Sequence, residues 1–225
     1  MRTILEKDTI IIACATVAEE LRQLDVPEEN LRVLEFGLHA DPQKLKEALQ
    51  SEIDSIEGQG DILLGYGLCS YAVVGLASPA HRLIIPRVDD CIAIFLGSSA
   101  DRLKKLAEEP GTYFLTKGWI EAADSTYWEY LRLVERYGEE RAQRVARVML
   151  ANYTRVALIN TGNYMMDEYR SYARTMAEIF DIKFEEIPGS NRLLLKMIEG
   201  DWNSEFLVVA PGQEVLLSAF LDDQS

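Results

Sequence analysis

The residues of this chain best suited to chemistry are its three cysteines, Cys14, Cys69 and Cys91. Each comes just after a short apolar run that reads as a buried strand: Thr9–Ala13, Ile62–Gly65 and Leu83–Pro86. In an open α/β sheet, ligands bind in the crevice beyond the carboxyl ends of the strands. Three parallel strands, each followed by a thiol, would bring three soft ligands to one crevice. With His39 as a fourth ligand the set suits tetrahedral zinc, and with an open position it suits an iron–sulfur cluster whose free iron meets substrate. No C-x-x-C spacing is present, so the ligands would be gathered from distant parts of the chain. The alternative for each cysteine is a small buried hydrophobe.

The neighbours of these cysteines extend the candidate site. Cys69 lies in Gly65-Tyr66-Gly67-Leu68-Cys69-Ser70, where the glycines permit a tight turn and close approach of a ligand. Helix-forming residues follow from Ser70, which places the Cys69 thiol near a helix N-terminus, where its pKa falls. Cys14, ahead of the helical stretch Thr16–Leu24, shares that environment. In Pro86-Arg87-Val88-Asp89-Asp90-Cys91, Arg87 suits a carboxylate or phosphate, and Asp90 suits a ligand, a helix cap or a group that orients a ligand. Cys69, Arg87 and Asp90 are therefore the candidate catalytic residues. Tyr66, Gly67, Tyr113, Thr161 and Asn191 are the candidate substrate contacts. His39 is otherwise an exposed or capping residue, and His81 precedes a strand, at its opposite end.

Strand-like runs alternate with amphipathic helical ones along the chain, the pattern of an α/β protein with a Rossmann-like, largely parallel sheet. Strands are expected at Thr9–Ala13, Leu31–Phe36, Asp61–Gly65, Arg82–Pro86, Thr112–Leu115, Arg155–Asn160, Ile182–Ile187 and Glu205–Val209. Helices are expected at Thr16–Leu24, Pro42–Ile56, Ala100–Glu108, Ser125–Ala151, Asp167–Phe180 and Arg192–Glu199, with Gly138 a point at which the long one divides. Two β-α-β-α-β units echo each other, in residues 1–81 and 152–225, joined by 82–151; the whole is also compatible with one compact domain. Where the first unit has Cys14 and His39, the second has Thr161 and Asn191. That contrast suggests a metal side and a substrate side.

Composition narrows the function classes. A net charge of −14 argues against non-specific binding to nucleic acid or to an anionic membrane. No apolar stretch reaches the ~18–20 residues that span a bilayer. Met1–Asp8 has no apolar signal core, so the expected compartment is the cytoplasm, where thiols stay reduced. There is no G-x-x-x-x-G-K-[ST], no G-x-G-x-x-G after the first strand and no G-x-S-x-G, which argues against an ordinary NTPase, nicotinamide dehydrogenase or serine hydrolase.

The segments Ile12-Ala13-Cys14, Gly37-Leu38-His39, Gly65-Tyr66-Gly67-Leu68-Cys69, Pro86-Arg87-Val88-Asp89-Asp90-Cys91-Ile92, Phe95-Leu96-Gly97-Ser98, Gly111-Thr112-Tyr113, Gly118-Trp119-Ile120-Glu121 and Pro211-Gly212 together resemble domain-of-unknown-function family 1638. The resemblance covers nearly the whole chain and supplies no reaction. It implies an origin in anaerobic bacteria or methanogenic archaea and, by association, a link to corrinoid-dependent methyltransferases and one-carbon metabolism. The family commonly carries His-Asp-Cys where this chain has Asp89-Asp90-Cys91. Three functions follow as expectations: a thiolate metal site handling a small molecule; an accessory protein that binds a corrinoid or a methyltransferase partner without chemistry of its own; and a metal-free thiol transferase using Cys69.

Overall fold

The structure is a computed structural model that describes residues 8–122 and 125–221. All of the N-terminal segment read above, apart from Asp8, lies outside the described residues. In chain order the elements begin with β1 (Ile10–Cys14), α1 (Ala15–Gln23), β2 (Leu31–Leu34), α2 (Pro42–Ser55), β3 (Ile62–Gly65), β4 (Leu83–Pro86), α3 (Cys91–Leu96) and α4 (Ser99–Glu108). They continue with β5 (Thr112–Leu115), α5 (Lys117–Glu121), α6 (Thr126–Tyr137), α7 (Glu139–Met149), β6 (Arg155–Asn160) and α8 (Asp167–Phe180). The last are β7 (Lys183–Pro188), α9 (Arg192–Glu199), β8 (Phe206–Val209) and α10 (Ser218–Leu221). No helix among the described residues is long and apolar enough to cross a membrane.

The chain divides into two compact units, residues 1–99 with 190–225, and residues 100–189. The first holds a five-stranded sheet in the order β2-β1-β3-β4-β8. Its first four strands are parallel, and β8 pairs antiparallel with β4, Pro86 opposite Phe206. β3 and β4 are buried along their whole length, as continuous apolar runs in a parallel sheet require. From β1 the chain passes through α1 to β2 on one side, then through α2 to β3 on the other. The strand order therefore reverses between β1 and β3, the position where ligands bind in sheets of this kind. The core under this edge holds Ile12, Leu45, Leu49, Leu64, Ile85 and Tyr66, with Cys14 and Cys69 packed against it.

The second unit holds the parallel sheet β5-β6-β7. Leu115, Val156, Leu158 and Met176 fill its core. α6 and α7 form a hairpin broken at Gly138, whose φ of +79° suits glycine, which is the point at which the sequence pattern divides the long helix. Arg155, 6% exposed, anchors β6 through Thr112 Oγ1 at 2.7 Å and Glu185 at 2.5 Å.

The α/β architecture and the largely parallel sheet agree with the sequence pattern. β6 pairs with β5 on one side and β7 on the other, whereas α9 and β8 belong to the first unit, where β8 pairs with β4. Phe206 and Val209 are buried where β8 pairs with β4, an interaction between segments far apart in sequence that local patterning does not register. The two compact units divide after residues 99 and 189.

Candidate functional site

β1, β3 and β4, the strands that lead to the three cysteines, are neighbours and parallel. Cys14 ends β1 and precedes the first residue of α1. Cys91 opens α3 behind the cap residue Asp90, whose carboxylate accepts from the Ala93 N–H at 3.3 Å. Cys69 lies in the loop after β3. Two backbone bonds zip that loop to the one after β4: Leu68 N–H to the Val88 carbonyl at 2.7 Å, and Cys69 N–H to the Asp89 carbonyl at 2.8 Å.

Two glycines make this approach possible. A Cβ at Gly67 would lie 2.5 Å from the Val88 carbonyl oxygen, and one at Gly65 would lie 2.8 Å from the Ala13 Cβ. Gly65-Tyr66-Gly67 is thus pressed against β1 on one side and against the β4 loop on the other. The Cys69 loop differs from expectation. It forms turns, and Cys69, Ser70 and Tyr71 have φ of +45°, +54° and +70°, three successive non-glycine residues in the left-handed region. Such conformations cost energy and persist only where the surroundings hold them.

The electrostatics reverse the expected activation of the thiols. Burial pushes Cys69 up to about 12, helped by Cys14 and Asp90 and opposed by the Gly67 backbone. Burial likewise raises Cys14, although the Thr16 hydroxyl, 3.2 Å from its sulfur, and the Val17 and Thr16 backbone at the start of α1 act against the rise. Cys91 is raised well above its ordinary value, by burial first and then by Cys14, Cys69 and Asp90. No helix begins at Ser70, so Cys69 lacks the dipole that would have lowered it. Cys14 and Asp90 raise Cys69, and Cys14, Cys69 and Asp90 raise Cys91.

Tyr66 joins the three thiols. Its ring is in the core cluster, the residue is 4% exposed, and its hydroxyl is buried without a hydrogen-bond partner among the described residues. All three cysteines act on its titration, after burial, and all raise it. The two flanking glycines were legible in the sequence; the unpartnered hydroxyl was not, because partnering depends on tertiary neighbours.

The other candidates are placed as follows. Arg87 is half-buried, with its N–H on the Glu205 carbonyl at 2.8 Å and its carbonyl receiving the Ser99 hydroxyl at 3.3 Å. Asn191 precedes α9 in the same unit, and its carbonyl accepts the Leu195 N–H. His39 is exposed in a short turn after β2, its Nδ1 2.6 Å from the Phe36 carbonyl. His81 ties the loop below β4 to the Gly60 and Ile56 carbonyls. Tyr113 and Thr161 belong to the second unit. The Tyr113 hydroxyl accepts the Thr126 N–H at 3.2 Å. Thr161 borders a hollow of about 490 Å³ at the ends of β6 and β7, with Asn160, Gly162 and Glu186. Among the described residues, no group of three or more His, Cys, Asp or Glu side chains is placed to hold a metal ion as the side chains stand.

No curated protein and no solved structure matches the chain. A family model, described as a protein of unknown function (DUF1638), matches residues 33–198, a span that includes Tyr66, Cys69 and Cys91. The chain belongs to the DUF1638 family.

Proposed function

We propose that Cys14, Cys69 and Cys91 bind a thiophilic metal centre, an iron–sulfur cluster in the first instance and zinc in the second, and that this centre handles a small molecule. One observation carries the proposal: the three cysteines follow three adjacent parallel strands, and the Cys69 loop is zipped by backbone bonds to the loop that leads to Cys91. Thiolates brought together there repel one another, a bound cation offsets that charge, and sulfur donors select zinc or iron–sulfur over hard cations. The chemistry of the donor set fits such a centre. Among the described residues the side chains as they stand do not form a metal cage, so the proposal requires them to move on binding.

Three protein ligands leave one coordination position free in either type of centre, and a bound centre would supply Lewis-acid or electron-transfer chemistry at that position. The chain's own part is to hold three sulfurs, to exclude water with the packed segment Gly65-Tyr66-Gly67 and to present the Tyr66 hydroxyl. A metal-free thiol transferase is less well supported, because it needs a thiolate near neutral pH and burial pushes all three thiols the other way.

The test is anaerobic reconstitution with ferrous iron and sulfide, and separately with zinc. Expected is metal retained through desalting, with broad visible absorbance for the iron form, lost together with the metal in Cys69→Ala, Cys14→Ala and Cys91→Ala. A protein that retains neither metal, with three thiols that alkylate freely after reconstitution, would end the proposal.

A further inference from the structure

The hollow of about 490 Å³ in the second unit lies at the carboxyl ends of the parallel strands β6 and β7. Asn160, Thr161 and Gly162 line it from β6 and its loop, and Glu186, Pro188 and Gly189 from the end of β7. Its volume is that of a small-molecule site, and its place is where ligands bind in parallel sheets. The space is open at Gly162, where a Cβ would meet nothing within 4 Å. Two side chains of the lining keep hydrogen-bonding capacity. Asn160 accepts the Gly162 N–H at 2.9 Å and donates one amide proton to Glu186 Oε1 at 2.8 Å, which leaves its second amide proton. Glu186 Oε1 also accepts from Arg170 Nη2 at 2.9 Å, whereas Oε2 accepts from Arg170 Nε at 2.5 Å and keeps one lone pair among the described residues. The Arg170 guanidinium holds the Glu186 carboxyl below the usual carboxylate range, so this group accepts and does not donate. A donor and an acceptor therefore stand side by side at the hollow. A vicinal diol answers both: one hydroxyl oxygen takes the Asn160 proton, and its neighbour gives a proton to Glu186.

We infer that this hollow binds a neutral ribonucleoside, its vicinal hydroxyls held by Asn160 and Glu186 and its base laid against Pro188. In nucleotide-binding β-α-β units the acid near the end of the second strand takes ribose hydroxyls, and glycines of the first loop admit the phosphates. β6, α8 and β7 have this order, with Glu186 in the place of the acid. The phosphate half is missing. After Gly162 the loop runs Asn163-Tyr164-Met165-Met166 with no second glycine, and α8 opens with Asp167 and Glu168, which would repel a phosphate at its N-terminus. None of the residues lining the hollow is basic. The nearby cations are engaged: Arg170 with Glu186 and Asp167, and Arg174 over the Phe184 ring. The exposed Pro188 supplies an apolar wall beside the polar pair. This site is separate from the thiols and does not depend on the metal-site proposal.

The experiment titrates the full isotope-labelled chain with adenosine, 2′-deoxyadenosine and AMP, read by the amide resonances of the Asn160 side chain and the Gly162 backbone. Adenosine should shift both saturably at millimolar concentration. 2′-Deoxyadenosine, which lacks the diol, should bind roughly tenfold more weakly or worse, the ratio that a hydrogen bond to a charged group supports. AMP should bind no tighter than adenosine. Thr161→Trp, which fills the hollow from its rim and leaves Asn160, Glu186 and Arg170 in place, should abolish the shifts while melting as cooperatively as wild type. Equal affinity for the two nucleosides overturns the inference, because the diol would then not be what is recognised. So do tighter binding of AMP, shifts that spare Asn160 and Gly162, and wild-type binding by Thr161→Trp. If that variant does not fold, the ratio of adenosine to 2′-deoxyadenosine affinity on the wild type decides by itself.

Discussion

At Cys69 the thiol is pushed up to about 12, by burial before anything else, and Cys14 and Cys91 move in the same direction. The sequence placed the three cysteines after strands, but solvation and mutual charge depend on neighbours that only the fold supplies. A folded-state pKa above the ordinary thiol value of 9.0 means that the native state holds its protons longer than the unfolded one. Stability contributed in this way is complete below about pH 9 and declines as pH rises above it. Denaturant melts of the metal-free protein from pH 7 to 10.5 should show that decline, and Cys69→Ser should flatten it. Tyr66→Phe removes an unpartnered buried hydroxyl, whose desolvation costs about 1–3 kcal/mol. The metal-free variant should gain on the order of 1 kcal/mol in chemical denaturation, whereas a loss would mean that the hydroxyl is satisfied.

Elements decide whether the thiols can meet. The β3 and β4 loops touch through Leu68, Cys69 and their carbonyl partners only because Gly67 has no side chain. Gly67→Ala would set a methyl 2.5 Å from the Val88 carbonyl oxygen, a backbone atom with little freedom to retreat. The expected cost is about 1–3 kcal/mol, the usual range for overpacking, with metal retention lost in the reconstitution assay. Retention at the wild-type level would show that the close approach is dispensable. On the far edge of the sheet, Glu205 accepts from Arg192 at 2.5 and 2.8 Å and from Lys196 at 2.6 Å, which ties α9 to the start of β8. Arg192 first, then Lys196, hold its carboxyl down to about 2 from 4.5. That stability is present above pH 4.5 and is lost as pH falls toward 2. The pair is partly solvated, so the contribution is on the order of 1 kcal/mol. Glu205→Gln should remove this part of the acid limb, measured by thermal melts between pH 2 and 5. The strands and most helices were legible because apolar periodicity is local. The turn at Cys69 was not, because Ser70 and Tyr71 adopt left-handed backbone under tertiary constraint, against their own preference.

At the scale of the whole molecule, the second unit is an insertion into the first. The chain leaves the first unit at residue 99 and re-enters at 190. Ser190 N–H reaches the Phe95 carbonyl at 2.8 Å, and Arg192 donates to the Gly97 carbonyl at 2.6 Å. The exit and the return are therefore side by side. Replacing residues 100–189 by a short Gly/Ser linker should leave a folded first unit with cooperative melting and the same metal retention per chain. Truncation after residue 189 should not, because it strips β8 from β4 and leaves a buried strand at a bare edge. If the linker variant fails to fold while the truncation folds, the division is wrong. The sequence by itself determined the α/β class, the strand and helix order and the position of each cysteine after a strand, because these follow from local periodicity and turn chemistry. Only the tertiary structure decided that β1, β3 and β4 lie side by side, that β8 closes the first sheet and that Cys14 and Cys69 pack against the core that holds Tyr66. Those are facts of long-range pairing and desolvation, and no window of sequence contains both partners of such contacts.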